Sequence, residues 1–418
     1  MFKFITLFYL IISNIFDRKS NLRFMIKPLN SFDLKNKRVL LRVDFNVPTD
    51  GDRVLDDFRI KQTLPTIKFC LESGAKLIIM SHMGRPKGKT DNDLSLMPAG
   101  ESLADLLEMP IKFSNDCISE DSRDVTLGLK SGEIHLLENL RFHSGESTND
   151  PDFCVELAKH GDIFINDAFG TAHRSHASNV GIAKHFSHKG IGLLVEKELN
   201  FLSKIISKPP RPLTLLLGGA KIDSKIDLID YFIGIADNIL IGGGMAFTLL
   251  AAKGFEVGNS LVDQSKIGIA TELIEKAKAK NNLILPKDSI CTQSPDSSKD
   301  KSVYDVSKMP KDTMGLDIGP KTIELFSSII GQSKTVIWNG PMGMFEKKDF
   351  KDGTRKLAEC VASNTEEGLI SITGGGDTAS ALRNFNLEYK MTHLSTGGGA
   401  SIELLSGKAL PALFALEV

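Results

Sequence analysis

The feature that most constrains this chain is a rhythm in which short apolar runs, each the length of one strand, alternate with longer amphipathic stretches. The expected strands are Arg38–Val43, Lys76–Met80, Ile134–Leu137, Ile163–Asn166, Leu213–Leu217, Asn238–Ile241, Leu283–Leu285, Thr335–Trp338, Leu369–Thr373 and the short Thr392–Leu394. Helical spacing fills most of the intervals, which is the mark of an α/β fold with parallel sheets. Almost every strand is followed by a polar or glycine-rich loop: DFNVP, SHMGRP, ENLRFHSGE, NDAFGTAHR, GGAKIDSKI, GGGMA, WNGPMG, GGGDT and STGGG. Open sheets of this kind bind ligands at the carboxyl ends of their strands, so the chemistry is expected in these loops.

At 418 residues the chain exceeds one ordinary core, and two doubly wound, Rossmann-like domains are expected. Residues 193–207, LLVEKELNFLSKIIS, have helical spacing and end at Lys208-Pro-Pro-Arg-Pro212, where proline stops a helix. This segment is expected to be a hinge helix between a domain at 25–192 and a second at 208–403.

A net charge of −1 excludes a general binder of nucleic acid, which would carry a basic excess. The five cysteines show no C-x-x-C pair and read as free thiols of a reducing, cytoplasmic compartment. No coiled coil or extended apolar edge suggests more than a monomer. Phe4–Phe16 is an apolar run too short to span a bilayer comfortably and without a small-residue cleavage site. It could be an anchor, a targeting peptide or sequence upstream of the true start, with Met25 as the natural first residue; residues 1–24 are thus an extension of open status, and no stable membrane association is expected.

The loops divide by chemistry. Those before residue 190 carry Arg42, Arg59, Arg85, Arg141 and Arg174, each at or just beyond a strand end or in its loop. Arginine grips carboxylate or phosphate with a planar fork, so five of them at one sheet edge point to a shared anion, although any single one could be a surface ion pair. His82 could donate to that anion or be a plain loop histidine. Asp44 and Asn46 could accept from hydroxyls or form an Asx turn before Pro48. Together they suit a small, multiply anionic, hydroxylated molecule.

The loops after residue 213 are glycine-rich. There is no Walker P-loop, but Gly242-Gly-Gly244, Gly374-Gly-Gly376 and Gly397-Gly-Gly399 each follow a strand and could open a helix. Three glycines in a row are costly in backbone entropy. Either a tight turn or the close approach of a phosphate to a helix N-terminus accounts for them. Asp377 could hold Mg²⁺ and Thr378 a phosphate, or the two could merely cap the helix. Lys221 and Lys225, four apart, are expected on one helix face, an arrangement that favours a polyphosphate between them.

RVDFNVP, SHMGRP, ENLRFHSGE, NDAFGTAHRSHAS, GGAKIDSKI, GLDIGP, WNGPMGMFE, GGGDTA and STGGGAS, in this order, resemble the phosphoglycerate kinase family over Met25–Val418. The resemblance implies transfer of a phosphoryl group between 1,3-bisphosphoglycerate and ADP. It implies that Asp44, Asn46, Arg59, His82, Arg85, Arg141 and Arg174, with the flanking Phe45, Met83 and Gly84, hold 3-phosphoglycerate. It implies that Lys225, Gly315, Glu346, Gly375, Gly376, Asp377 and Thr378 hold ATP or ADP, with Glu346 on the ribose and Asp377 on Mg²⁺. Arg59, Lys221 and the helix opening at Gly397 and Gly398 resemble the groups that stabilise the phosphoryl group in flight, and residues 404–418 resemble the segment that returns to the first domain. A nicotinamide-dependent dehydrogenase is the rival enzyme class, but no G-x-G-x-x-G follows a first strand with an acid about 20 residues on. A membrane-tethered binding protein is the rival outside enzymes, motivated by Phe4–Phe16.

Overall fold

The computed structural model describes residues 26–296 and 300–417. The expectation about Phe4–Phe16 and the start at Met25 lies outside the described residues. The chain divides into two compact units: one runs to Leu202 and takes in the chain from Lys408 onward, and the other is Ser203–Gly407.

In the first unit the strands are β1 (Arg38–Arg42), β2 (Thr49–Asp50), β3 (Arg53–Val54), β4 (Lys76–Met80), β5 (Lys112–Ser114), β6 (Ile134–Leu137), β7 (Ile163–Asn166) and β8 (Lys189–Ile191). Six of them form one sheet in the order β5-β6-β4-β1-β7-β8. Every pairing in it is parallel. Val39, Leu40 and Leu41 of β1 are all fully buried although they alternate faces, because helices cover both sides. The chain lays strands to one side of β1 and then, with β7, to the other. That reversal opens a crevice at the carboxyl ends of β1, β4 and β7, where the loops bearing Asp44, His82 and Arg174 emerge.

The second unit repeats the plan with β9 (Leu213–Leu217), β10 (Asn238–Ile241), β11 (Leu283–Ile284), β12 (Asp288–Thr292), β13 (Ser302–Asp305), β14 (Met314–Ile318), β15 (Thr335–Asn339), β16 (Ile370–Gly374) and β17 (His393–Leu394). The parallel sheet runs β11-β10-β9-β15-β16-β17, with its reversal between β9 and β15. A separate antiparallel sheet, β13-β12-β14, carries GLDIG and was not expected from the sequence. Its strands hide because they are polar: β13 faces solvent, and β12 spends Asp288 on capping the helix Pro320–Gln332, accepting from Lys321 N at 3.0 Å and Thr322 N at 2.9 Å. Residues that work as caps break the apolar pattern by which a strand is read.

The helix Leu193–Ser207 has the expected bounds. Its N-terminal cap is supplied from elsewhere in the first unit. Thr66 Oγ1, on the helix that begins at Arg59's neighbour Phe58, accepts from Leu193 N at 3.0 Å, and Asp167 Oδ1 accepts from Val195 N at 3.1 Å. The chain end lies on the same unit, where Ala412 N donates to Ala172 O at 3.1 Å and Lys189 Nζ to Ala415 O at 3.0 Å. Among the described residues no helix is long and apolar enough to cross a membrane.

Candidate active site

In the first unit the crevice gathers cations around two acids. Asp44 Oδ2 pairs with Arg59 NH1 at 2.9 Å, and the same nitrogen donates to Asn46 O at 3.2 Å. Asn46 Oδ1 accepts from Gly84 N at 2.9 Å, and Arg141 NH1 donates to Gly84 O at 2.5 Å. The β1, β4 and β6 loops are therefore tied to one another through Gly84, while Arg85 beside it is exposed.

Arg42 departs from the expectation that all five arginines reach one anion. Its guanidinium is buried and already engaged by Ser178 Oγ at 2.8 Å, by Val43 O, and by His82 Nδ1 at 3.2 Å. Arginine only donates, so Nδ1 of His82 must accept and the imidazole proton sits on Nε2. Burial, followed by the fields of Arg42, Arg141, Arg174 and Arg59, holds His82 well below the usual imidazole range. His82 is thus a fixed neutral donor, and Arg42 orients it.

The sequence reading missed Glu146. It is fully buried, with Oε2 accepting from Ser178 N at 2.9 Å and Oε1 from Ser178 Oγ at 2.7 Å, so it fixes the hydroxyl that in turn meets Arg42. The HSGE portion of the β6 loop was its only trace. Despite Glu146 and Asp44, the crevice remains over-supplied with positive charge. Burial, then the neighbouring Arg174 and Arg42, bring Arg141 down to about 10, and His176 falls to about 4 for similar reasons. Arg174 is also lowered, by burial and by Arg85 and Arg59. A multiply charged anion would relieve this repulsion.

Phe45 and Met83, expected at the substrate, have their side chains in the hydrophobic core. Phe45 N donates to Ser81 Oγ at 2.8 Å and Met83 N to Asn139 Oδ1 at 3.1 Å. Both residues shape the loops rather than present side chains to a ligand.

In the second unit the three glycine triplets share a geometry and differ in purpose. The middle residue of each has positive φ: Gly243 at +64°, Gly375 at +97° and Gly398 at +49°. At Gly243 a Cβ would lie 2.5 Å from Gly219 N and 2.9 Å from Pro341 O, so that triplet is glycine to let three loops pack backbone to backbone. At Gly376 and Gly398 a Cβ would meet nothing within 4 Å. Their open faces are what the approach of a ligand requires. The N–H groups of Gly376, Asp377 and Thr378 open the helix Gly376–Asn384 with no side-chain cap.

Asp377 is exposed in that first turn. Thr378 is buried and its Oγ1 accepts from Gly340 N at 2.7 Å, so its side chain braces the β15 loop and its main chain faces the helix mouth. Asn339, not singled out in the sequence, donates to Gly374 O at 2.8 Å. At the third triplet Gly397 N donates to Ser395 Oγ at 3.0 Å, which engages that N–H and leaves the mouth of the helix Gly399–Leu405 to Gly398 and Gly399.

Lys221 and Lys225 do not share a helix face. Lys221 lies in the loop after β9 and is exposed, while Lys225 ends a short 3₁₀ turn ahead of the helix Ile226–Ile235 and is buried. Burial lowers Lys225 to about 8, offset in part by the field of Asp377 in the first turn of the glycine helix. Glu346 is exposed on the β15 loop. Gly315 sits in β14 with Phe247 Cζ only 2.1 Å from where a Cβ would stand, so packing alone explains its lack of a side chain.

A family model described as phosphoglycerate kinase matches residues 29–408. A phosphoglycerate kinase of Dictyoglomus turgidum is 48% identical over 393 residues, covering 94% of this chain and 98% of that one. One of Prosthecochloris aestuarii is 47% identical, covering 94% and 99%. Among solved structures, phosphoglycerate kinase from Coxiella burnetii superposes with a TM-score of 0.81 at 36% identity, over 94% of this chain and 98% of that one. The enzyme from Pyrococcus horikoshii gives 0.82 at 31% identity, over 93% and 98%.

Proposed function

The chain belongs to the phosphoglycerate kinase family, and from that premise we propose how its residues divide the work of moving a phosphoryl group between 1,3-bisphosphoglycerate and ADP. The observation that carries the reading is the charge surplus in the first unit's crevice: burial and then Arg174 and Arg42 lower Arg141, burial and then Arg85 and Arg59 lower Arg174, and Asp44 offsets them only in part. Arg85, Arg141 and Arg174 hold the phosphate of 3-phosphoglycerate, with His82 donating from Nε2. Asp44 and the amide of Asn46 take the hydroxyl. Arg59 stands at the carboxylate end.

That carboxylate is already ionised at neutral pH, so it attacks without a general base. A neutral His82, whose Nδ1 is taken up by Arg42 and which offers the crevice only its Nε2–H, is consistent with that chemistry. The protein has to supply position, charge neutralisation and dryness. Arg59 and Lys221 meet the equatorial oxygens of the moving group, helped by the N–H groups at Gly398 and Gly399.

The second unit holds the nucleotide: the N–H groups of Gly376 to Thr378 and the ammonium of Lys225 face the phosphates, and Glu346 takes the ribose. Asp377 offers a hard oxygen donor beside those phosphates, which fits Mg²⁺. When bound, that ion neutralises phosphate charge. The acid is thus assigned to one unit and the nucleotide to the other. We place the enzyme in the cytoplasm as a monomer.

Binding tests the substrate assignment. 3-Phosphoglycerate is expected to bind with an affinity that falls as salt rises, and glycerate, lacking the phosphate, at least about tenfold more weakly, since a charge-assisted hydrogen bond contributes about 1.5–3 kcal/mol. Equal affinities by calorimetry would contradict the role given to Arg141 and Arg174.

Lys225 supplies a pH test. Its pKa of about 8 lies below that of a free lysine because burial disfavours the ammonium, and a polyphosphate favours it again. Nucleotide binding is therefore expected to take up a proton near pH 8. The nucleotide KM should stay level below that pH and climb by up to about tenfold per unit above it. Lys225→Arg should flatten the climb; a profile with the same bend in the variant would show that another group is responsible.

A further inference from the structure

In the first unit, the loop after β5 and the turn after β6 bring Asp116, Cys117 and His143 together. One ligand-capable atom of each, a carboxylate oxygen, Sγ and an imidazole nitrogen, lies within 4.8 Å of the others. We propose that these three residues form a binding site for a soft divalent cation of the zinc class.

Two of the three donors are already oriented. Asp116 Oδ1 is held by Ile118 N at 2.7 Å and Ser119 N at 2.8 Å, which turns Oδ2 to His143 Nε2 at 2.9 Å. The His143 ring lies against Phe153, with centroids 5.4 Å apart at 31°. Backbone N–H groups and ring packing therefore do what outer-shell partners do in metal sites: they fix a ligand before the ion arrives. Cys117 is buried, while Asp116 and His143 are partly exposed and open a path from solvent.

Zinc is held at about 2.3 Å from sulfur and 2.0–2.2 Å from nitrogen or oxygen, so tetrahedral ligands stand roughly 3.3–3.6 Å apart. Reaching that spacing takes an opening of the Asp116–His143 contact by about half an ångström and a movement of Sγ inward from within 4.8 Å of the other two ligand atoms. The ion would take the place of the hydrogen between Asp116 and His143, the imidazole carrying its one proton on Nδ1 once Nε2 is a ligand, and the thiol proton of Cys117 would leave to solvent. Three protein ligands leave a fourth position for water. Thiolate and imidazole select against Mg²⁺, so the site is independent of the ion that accompanies ATP.

The test is titration of the full chain, stripped with a chelator and free of any affinity histidines, with Co²⁺ in a large excess of Mg²⁺. One equivalent should bind and develop a near-ultraviolet thiolate-to-cobalt band, and Zn²⁺ should displace it. Cys117→Ser should abolish the band, and Asp116→Asn should weaken binding about 10–100-fold. Cys117→Ser should leave phosphoryl transfer unchanged. If that variant does not fold, His143→Gln serves in its place, again with weakened binding expected. No thiolate band, or a band that survives both Cys117→Ser and His143→Gln, overturns the proposal.

Discussion

Lys221→Ala is expected to lower kcat by about 10²–10³ while changing the KM for nucleotide far less, because removal of one preorganised donor to a transition-state charge has that cost. The expectation follows from the different roles proposed for the two lysines. Lys225 is buried beside Asp377 and would contact bound nucleotide in ground state and transition state alike. Lys221 is exposed in the loop between β9 and the short 3₁₀ turn, free of the helix face that the sequence suggested. In the role proposed for it, Lys221 contributes most to a group that is between donor and acceptor. Arg59→Ala should show the same pattern for the acid substrate, with a smaller added rise in KM. Its NH1 is committed to Asp44 and Asn46 O, and the rest of its fork is what the substrate would meet. Steady-state kinetics of the two variants decide the matter, and near-normal turnover in either removes that residue from the transition state.

The second large effect separates two glycines that look alike in sequence. Gly376→Ala places a methyl where the structure has no protein atom within 4 Å, at a residue whose φ is ordinary. The variant is expected to fold at least as stably as the parent, gaining up to about 1 kcal/mol from helix propensity. It should nonetheless raise the nucleotide KM about 10–100-fold, because the methyl keeps phosphate from the first-turn N–H groups and a charge-assisted hydrogen bond is worth about 1.5–3 kcal/mol. Gly243→Ala should do the reverse. It forces a left-handed φ of +64° on alanine and drives Cβ into Gly219 and Pro341 backbone, costing about 2–5 kcal/mol of stability. Thermal unfolding and nucleotide kinetics on both variants test this. A destabilised Gly376→Ala with unchanged KM would mean that the glycine serves the turn rather than a ligand.

The same pair shows where the sequence stopped being legible. A run of three glycines after a strand announces a special junction, and all three junctions do open helices. Whether the missing side chain makes room for protein or for ligand depends on what stands opposite, which is tertiary information. Arg42 and Arg59 pose the same difficulty. Both read as strand-end arginines, yet Arg42 turns into the unit against Ser178 and Val43, and Arg59 lies on a helix facing Asp44. Most of the parallel strands were legible because burial on both faces leaves a near-continuous apolar run, as in Lys76–Met80 and Leu213–Leu217; the short β5 and β8, KFS and KGI, were not. β12 and β14 were not, since Asp288 caps a helix and Asp317 accepts from Gly353 N at 2.7 Å. Glu146 and Asn339 were passed over because each acts through another residue.

The measurement that bears most directly on the central claim is turnover of the full chain with MgATP and 3-phosphoglycerate, followed by coupling the acyl phosphate formed to NADH oxidation. Steady turnover is expected that needs both substrates, stops when EDTA removes the divalent ion, and falls by about 10²–10³ in Lys221→Ala. A folded protein that binds 3-phosphoglycerate and nucleotide but shows no transfer would contradict it.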